Sequence, residues 1–239
     1  LKKKPDGTFR FLVDFHRLNS ITKKDAYPQP SPEELIYRLS GHTYFTKLDL
    51  KSGYFQIPIA EEDKEKTVFV TPDGHYEFNV LPQGLMNAPA SFQRVMNNLL
   101  ATGRWDYVVV YLDDIVVFSH SLQEHKRHVD EVLSLLNKAH FKVSPSKCAI
   151  AAKKIEFLGH IVSTTTVQPT PEKIQTILDI PPPRTLSQAN KFLGKIGYYR
   201  KFLHDFAATA APLHKVTNKT RTKQHEFYWH AEQQATFEQ

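Results

Sequence analysis

Residues 107–118, Tyr-Val-Val-Val-Tyr-Leu-Asp-Asp-Ile-Val-Val-Phe, set two adjacent acids inside an otherwise apolar run. A carboxylate there is costly unless a cation or hydrogen bonds meet it. The β-branched residues on either side read as two strands, which puts Asp113 and Asp114 at or beside a hairpin turn. Neither flank carries a Lys or Arg within four residues, so any partner has to come from elsewhere. A third acid, Asp49, lies in the strand-like run Tyr44 to Leu50, with a glycine bend at Gly53 after it. Carboxylates at strand ends suit hard divalent cations, which take oxygen ligands. Two such ions ~3.5–4 Å apart can clamp the attacking and leaving oxygens of a phosphoryl displacement. Neighbours on a strand face opposite ways. One of Asp113 and Asp114 is therefore expected to be the better ligand unless the turn reorients both. An acid pair in a turn is, on its own, usually just solvated; the apolar flanks and Asp49 argue against that here.

The chain has 239 residues, enough for one large or two modest domains. Apolar residues at 41% and charged residues at 23% exclude a disordered chain. No apolar run approaches the ~20 residues of a membrane helix, so no membrane partner is expected. Cys148 is the only cysteine, which rules out an internal disulfide and suggests an intracellular setting. The chain opens on Leu1 and ends mid-pattern at Gln239, and reads as a piece of a longer polypeptide. Net charge is +6 and unevenly spread. Arg184 to Lys223 holds nine Lys or Arg against one acid, Asp205, while the rest of the chain is roughly balanced. Such a basic tract suits a polyanion.

Along the chain, Phe9 to Phe15 reads as a strand after the Pro5-Asp6-Gly7 turn. Ser31, Pro32 and Glu34 predict a capped helix start. Gln56 to Ile59 follows as a further strand-like run. Thr67 to Val80 reads as a hairpin bent at Pro72-Asp73-Gly74. Residues 89–101 are helical by period, and a long helix with Val129, Val132, Leu133 and Leu136 on one face comes after the acid pair. Residues 155–162 form a short hairpin-like unit bent at Gly159. A Thr-rich linker then leads to a helix from Pro171. A longer helix follows, with Thr185 and Gln188 as a capping box and an apolar stripe from Leu186 to Leu203. Its polar faces carry Lys191, Lys195, Arg200 and Lys201. Boundaries are expected near residues 163 and 226.

Five blocks in fixed order carry a family resemblance: V-D-F-H-R-L-N, L-D-L-K-S-G-Y-F-Q-I, L-P-Q-G-L-M-N-A-P-A-S-F, Y-L-D-D and F-L-G-H-I-V-S. F-L-G-K-I-G-Y-Y-R-K-F-L with A-A-P-L adds a sixth. Together they resemble the reverse transcriptase of gypsy-type long-terminal-repeat retrotransposons. The resemblance implies an α+β right-hand polymerase: a palm with an antiparallel sheet and helices, partial fingers, and a helical thumb. Residues 1–163 would be partial fingers and palm, 164–226 a thumb-like region, and 227–239 the start of a ribonuclease H-like domain. It implies an RNA-directed DNA polymerase, a nucleotidyltransferase that extends a primer 3′-hydroxyl with deoxynucleotides by two-metal phosphoryl transfer. Asp49, Asp113 and Asp114 match its catalytic acids, which would bind two Mg2+ ions, with Mn2+ as a substitute. Tyr54 matches an aromatic gate against ribonucleotides, although packing of the palm would also explain it. Gln83 matches a contact to the incoming nucleotide, and Lys3, Lys4 and Arg10 match cations that hold its triphosphate. Phe157, Leu158, Gly159 and His160 match the loop that positions the primer end. Lys191, Lys195, Arg200 and Lys201 match a thumb surface on the duplex backbone.

The partners implied are an RNA or DNA template with primer, deoxynucleoside triphosphates, and the protease, ribonuclease H and integrase of a Pol polyprotein. Dimer formation stays open. The implied setting is a cytoplasmic particle, with the nucleus later. Phe55 stands where many gypsy-type elements have His, and L-P-Q-G where they often have M-P-F-G, so the branch stays open. The rival of another class is a catalytically silent nucleic-acid-binding remnant, or a structural polymerase subunit. The intact acids, Tyr54, Gln83 and Gly84 argue against it. A zinc site at His120, His125 and His128 lacks the Cys and H-E-x-x-H partners such sites use, and this cluster is expected to be a solvated helix face. No G-x-S-x-G elbow suggests a serine nucleophile.

Overall fold

The structure, a computed structural model, describes residues 2–3, 7, 9–217 and 227–239. Strands β1 (Lys2–Lys3) and β2 (Phe9–Arg10) pair antiparallel, with Lys3 opposite Phe9. The strand expected over Phe9 to Phe15 therefore keeps only its first two residues. The Asp14 side chain accepts from the His16 N–H at 2.9 Å, a local bond that turns the chain away from extended structure. Helix α1 (His16–Ile21), which the sequence does not suggest, follows at once. Helix α2 (Pro32–Leu39) starts where Pro32 predicts, but Ser31 makes no side-chain cap bond, so the expected capping box is not formed.

Strand β3 (Tyr44–Asp49) comes next, then a 3-10 turn, Gly53–Gln56. In place of a strand at Gln56 to Ile59 there is one isolated bridge, Pro58 to Val80. After the short helix α3 (Glu61–Lys64), strands β4 (Phe69–Thr71) and β5 (Gly74–Tyr76) form the expected hairpin. Helix α4 (Ala88–Met96) runs on as a π-helical turn, Asn97–Ala101. Strands β6 (Val108–Tyr111) and β7 (Asp114–Ser119) are the hairpin read from the acid-bearing stretch. Helix α5 (Leu122–Lys138) starts at a complete capping box of Ser121 and Glu124, and strand β8 (Ala149–Ala152) completes the sheet.

That sheet has the order β6-β7-β3-β8, with each adjacent pair antiparallel. The central strands are apolar on both faces because both faces are covered. Leu48, Ile115, Val108, Val110 and Val117 pack with Phe92, Met96 and Leu100 and with Val129, Val132 and Leu136 of α5. Phe45, Val109, Val116 and Phe118 pack with Leu35, Ile36 and Leu39 of α2 and with Ile155 and Phe157. Burying each such large side chain contributes about 1.5–3 kcal/mol. The central strands are therefore firmly held, and a side chain at their ends inherits that rigidity.

The chain forms two compact units, Leu1–Leu158 with Val162–Val167, and Gly159–Ile161 with Gln168–Gln239. Strands β9 (Lys154–Phe157), β10 (His160–Ser163) and β11 (Val167–Pro169) lie where the chain passes between them. In the second unit, helix α6 (Pro171–Leu178) is capped by Thr170 and helix α7 (Leu186–Tyr198) by Thr185. Gln188 accepts from the Arg184 N–H, one residue before the position a capping box requires. The longer helix expected to reach Leu203 ends at Tyr198, and Leu203 is 49% exposed. Helices α8 (Phe206–Thr209) and α9 (Ala211–Val216) follow. Helix α10 (Ala231–Glu238) joins this unit through Gln233, which donates to the Pro212 carbonyl at 3.4 Å, and through Phe237, 4.8 Å from Phe192 between ring centres. The boundary expected near residue 226 lies outside the described residues. No helix among the described residues is long and apolar enough to cross a membrane.

Candidate active site

Strands β3 and β7 stay in register down to Asp49 opposite Asp114, so these two carboxylates leave the same face. Tyr111 pairs with Asp114, which leaves Leu112 and Asp113 as a two-residue loop. Leu112 takes a φ of +51°, and Asp113 does not. That is the sign pattern of a type II′ hairpin turn, whose first central position glycine usually fills. The turn takes Asp113 out of strand alternation and brings it near the other two acids. Burial pushes its carboxyl above the usual range, and the charges of Asp114 and then Asp49 push it the same way. Gly53 makes room for it. A Cβ there would lie 3.2 Å from Asp113 Oδ1 and 3.1 Å from the Phe92 ring. The Oδ1 atom is buried and has no hydrogen-bond partner.

Two lysines attend the other acids. Lys47 Nζ is 2.8 Å from Asp114 Oδ1 and also donates to the Glu156 carbonyl at 3.3 Å. Lys147 Nζ lies 3.8 Å from Asp49 Oδ1. Cys148 accepts from the Asp49 N–H at 3.5 Å and donates to the Ser144 carbonyl. Sequence distance hid these partners: Lys47 sits 67 positions from Asp114 and Lys147 98 positions from Asp49. Among the described residues, no three His, Cys, Asp or Glu side chains converge tightly enough to hold a metal ion as they stand. The donor chemistry nevertheless fits a divalent cation. Asp114 and Asp49 repel the Asp113 carboxylate, which has a buried oxygen without a partner, and both lysine pairs are partly exposed and so hold their acids weakly.

Tyr54 reaches the site through Ser52, whose left-handed backbone (φ +54°) starts the 3-10 turn. Its ring stacks on Phe92 at 4.7 Å. Burial, and then the charge of Asp113, push its hydroxyl up to about 12, so it stays a neutral phenol beside the acids. Gln83 is half-buried in the turn that contains Gly84 (φ +104°). Asn19 braces this turn. Its Nδ2 donates to the Gly84 carbonyl and its Oδ1 accepts from the Met86 N–H, both at 2.8 Å. V-D-F-H-R-L-N and L-P-Q-G are thus one structure. The sequence shows both blocks but not that Asn19 joins them.

The remaining candidates divide. Phe157 and His160 are fully buried. The His160 ring lies against Tyr198, Tyr199 and Phe202, 5.7–6.2 Å between centres. These two side chains are therefore core members here, a correction to their expected place on a primer. Leu158 and Gly159, both of positive φ, form the bend and are only partly buried. Lys191 and Lys195 are exposed on α7. Arg200 and Lys201 are exposed too, but on a 3-10 turn beyond the helix, Arg200–Phe202. Lys4 and the side chains of Lys3 and Arg10 lie outside what the structure describes.

The histidine cluster is not the solvated face expected from sequence. His125 is 2% exposed. Its Nε2 is hydrogen-bonded to Thr46 Oγ1 at 2.7 Å and its Nδ1 to Ser119 Oγ at 3.0 Å. Ser119 Oγ also meets His128 Nδ1 at 2.8 Å. His125 points at the sheet because it begins the apolar stripe of α5 that continues through Val129, Val132 and Leu136. Only His120 stands exposed, stacked on His42 at 4.2 Å.

With this geometry in place, the chain can be compared with known proteins. The model of the family described as "Reverse transcriptase (RNA-dependent DNA polymerase)" matches residues 1–162. The retrovirus-related Pol polyprotein from transposon 297 of Drosophila melanogaster is 42% identical over 225 residues, which is 92% of this chain and 21% of that protein. That from transposon gypsy of the same organism is 42% identical over 204 residues, 85% of this chain and 20% of the other. The chain thus spans about a fifth of these relatives. Among solved structures, a foamy viral protease-reverse transcriptase in complex with double-stranded DNA superposes with a TM-score of 0.85 at 26% identity, over 98% of this chain and 41% of that one. Another, in complex with an RNA/DNA hybrid, gives 0.76 at 25% identity, over 98% and 31%.

Proposed function

This chain belongs to the reverse transcriptase (RNA-dependent DNA polymerase) family, and we propose that it is the polymerase part of a retrotransposon Pol polyprotein that copies RNA into DNA. The observation that carries the reading is the gathering of Asp49, Asp113 and Asp114 at one end of a rigid strand pair, with Asp113 Oδ1 buried and unpartnered. The unit built on this sheet corresponds to palm and partial fingers, and the second unit to a thumb-like region. Helix α10 is, in this reading, the start of the ribonuclease H-like segment.

The residues take the following roles. Asp49, Asp113 and Asp114 hold two divalent cations, Mg2+ or Mn2+. When bound, such ions favour the ionised primer 3′-hydroxyl and offset the charge of the departing pyrophosphate. Lys47 and Lys147 balance Asp114 and Asp49 until then, so the empty acids do not splay apart. The Tyr54 ring, fixed by Phe92 and neutral, stands where it excludes a ribose 2′-hydroxyl. Gln83 contacts the incoming deoxynucleotide from a turn that Asn19 holds. Leu158 and Gly159 present the bend that meets the primer. Lys191, Lys195, Arg200 and Lys201 face the duplex backbone, where affinity falls with salt. Lys3, Lys4 and Arg10 meet the triphosphate. Template, primer and deoxynucleotides are the substrates, and the neighbouring Pol domains are the partners.

Primer extension on an RNA template with deoxynucleotides and Mg2+ tests the reading. The parent chain extends the primer. Asp113→Asn binds the same primer–template with unchanged affinity but extends it at least about a hundredfold more slowly. Tight binding by the parent without extension would overturn the polymerase reading in favour of a silent nucleic-acid-binding remnant.

A further inference from the structure

We propose that Gln93 is a positioning residue for the acid-bearing turn: its carboxamide fixes the backbone from Val110 to Leu112 and so sets where the Asp113 carboxylate points. Gln93 lies in α4 and is 0% exposed, a rare position for a polar side chain. Its Oε1 accepts from the Leu112 N–H at 2.7 Å and its Nε2 donates to the Val110 carbonyl at 3.0 Å. Strand β6 is an edge of the sheet, where outward backbone groups lack a ladder partner. One amide thus spans the strand end and the first loop residue, immediately before Asp113.

The Leu112 backbone needs such a brace. A leucine at φ +51° persists only when its surroundings enforce it. The orientation of the brace is fixed in turn. Nε2 also donates to Asn97 Oδ1 at 2.9 Å, and Asn97 Nδ2 donates to the Tyr27 hydroxyl at 3.0 Å. With an N–H facing Oε1 and two acceptor oxygens facing Nε2, only one amide orientation satisfies every group. The Asn97–Tyr27 pair is secured by Arg94, which pairs with Asp25 and lies 5.0 Å over the Tyr27 ring. The sequence places Gln93 in a helix rich in apolar residues and gives no sign that it reaches the Y-L-D-D turn.

The catalytic weight of this brace rests on the polymerase reading; the brace itself does not. The test therefore pairs two measurements on the whole chain, Gln93→Met beside the parent. The first is amide exchange of peptides covering residues 108–118 and, as an internal reference, residues 122–138. The expected result is exchange at least about tenfold faster in 108–118 only. The second is single-turnover extension. The rate at saturating deoxynucleotide falls about ten- to a hundredfold while KM stays within about threefold. Gln93→Glu, which keeps the acceptor for Leu112, recovers part of both. Unchanged exchange in 108–118, or equal acceleration in both segments, would overturn the proposal. Should Gln93→Met fail to fold, Asn97→Ala carries the same two measurements, because it frees the Gln93 amide without removing it. If the parent itself does not extend a primer, the polymerase reading fails and the exchange measurement still decides the brace.

Discussion

The two ends of the β3–β7 strand pair treat polar groups in opposite ways. At one end Asp49 faces Asp114, with Asp113 beside them. Like charges crowd, and one buried oxygen has no partner. Near the other end, where Tyr44 faces Ser119, the Thr46 hydroxyl and both His125 nitrogens are bonded, and Ser119 reaches on to His128. The same backbone supports both. Burial of polar side chains therefore does not by itself mark a functional site. What separates the ends is crowded like charge, and not an unmet bond alone. The Thr46–His125–Ser119–His128 network is complete, while the nearby His42 Nδ1 is, like Asp113 Oδ1, buried without a partner. The acid end is incomplete, which is what the proposed divalent-cation site requires.

Substitutions at each end should separate function from stability. The largest effect is that of Asp113→Asn on extension, and its melting temperature should not fall, because removing a desolvated carboxylate relieves repulsion. A clear loss of melting temperature would mean that Asp113 is a structural member like its counterparts at the far end. His125→Leu should do the reverse. It leaves Thr46 and Ser119 buried without a partner and destabilises by about 2–4 kcal/mol in denaturant melts, while extension per folded molecule stays at the parent value. Gly53→Ala should lower extension about tenfold or more with a smaller stability loss, since the new Cβ at 3.2 Å presses on Asp113 Oδ1. An alanine variant as active as the parent would show that this oxygen is not held in place.

A smaller effect separates ligand selection from chemistry. Tyr54→Val should let ribonucleotides compete about tenfold better or more while deoxynucleotide incorporation persists. Unchanged discrimination would leave Tyr54 as a packing residue on Phe92. The smallest effect is one of pH. Burial, then the neighbouring His128, pulls His125 below its ordinary 6.5. Burial, then Arg127, pulls His128 down, although Glu124 and Glu131 oppose this. Burial, then His120, lowers His42. The unfolded chain takes up protons near pH 6.5 that the fold refuses until lower pH. Stability is therefore complete above that value and declines as the pH falls below it. Melts from pH 8 to 5 should show this decline, and His125→Leu should flatten it.

Much of the acid end was legible in the sequence, because its signals are local. An apolar alternation broken by Asp113-Asp114 makes a hairpin, and Tyr44 to Asp49 makes its neighbour. The register that sets Asp49 opposite Asp114 is a property of the sheet and not of either strand. Leu112 decides between the two arrangements that the sequence leaves open. Strand alternation alone would have parted the two acids, and a positive φ at a leucine, which no sequence rule favours, brings Asp113 back. The histidine end was misread because His120, His125 and His128 look alike in a helix rich in Lys and Arg. Only the contact of α5 with Thr46 and Ser119 distinguishes the buried one. Lys47, Lys147, Asn19 and Gln93 were missed for a shared reason: each acts on a residue far from it in sequence or on a backbone group, and neither leaves a mark in local pattern. The early strand stops after Arg10, and by Asp14 a side-chain bond to the His16 N–H has turned the chain toward α1.

The central claim is that a divalent cation goes to the acid end and not to the histidines. Fe2+ in place of Mg2+, with ascorbate and peroxide, generates radicals that cut a polypeptide next to the bound metal, so the cut sites report where the ion sits whether or not the enzyme turns over. Cuts at residues 49–54 and 111–114, suppressed by excess Mg2+ and lost in Asp113→Asn, are the result predicted. Cuts centred on residues 119–128, or a pattern that Asp113→Asn leaves unchanged, would contradict it.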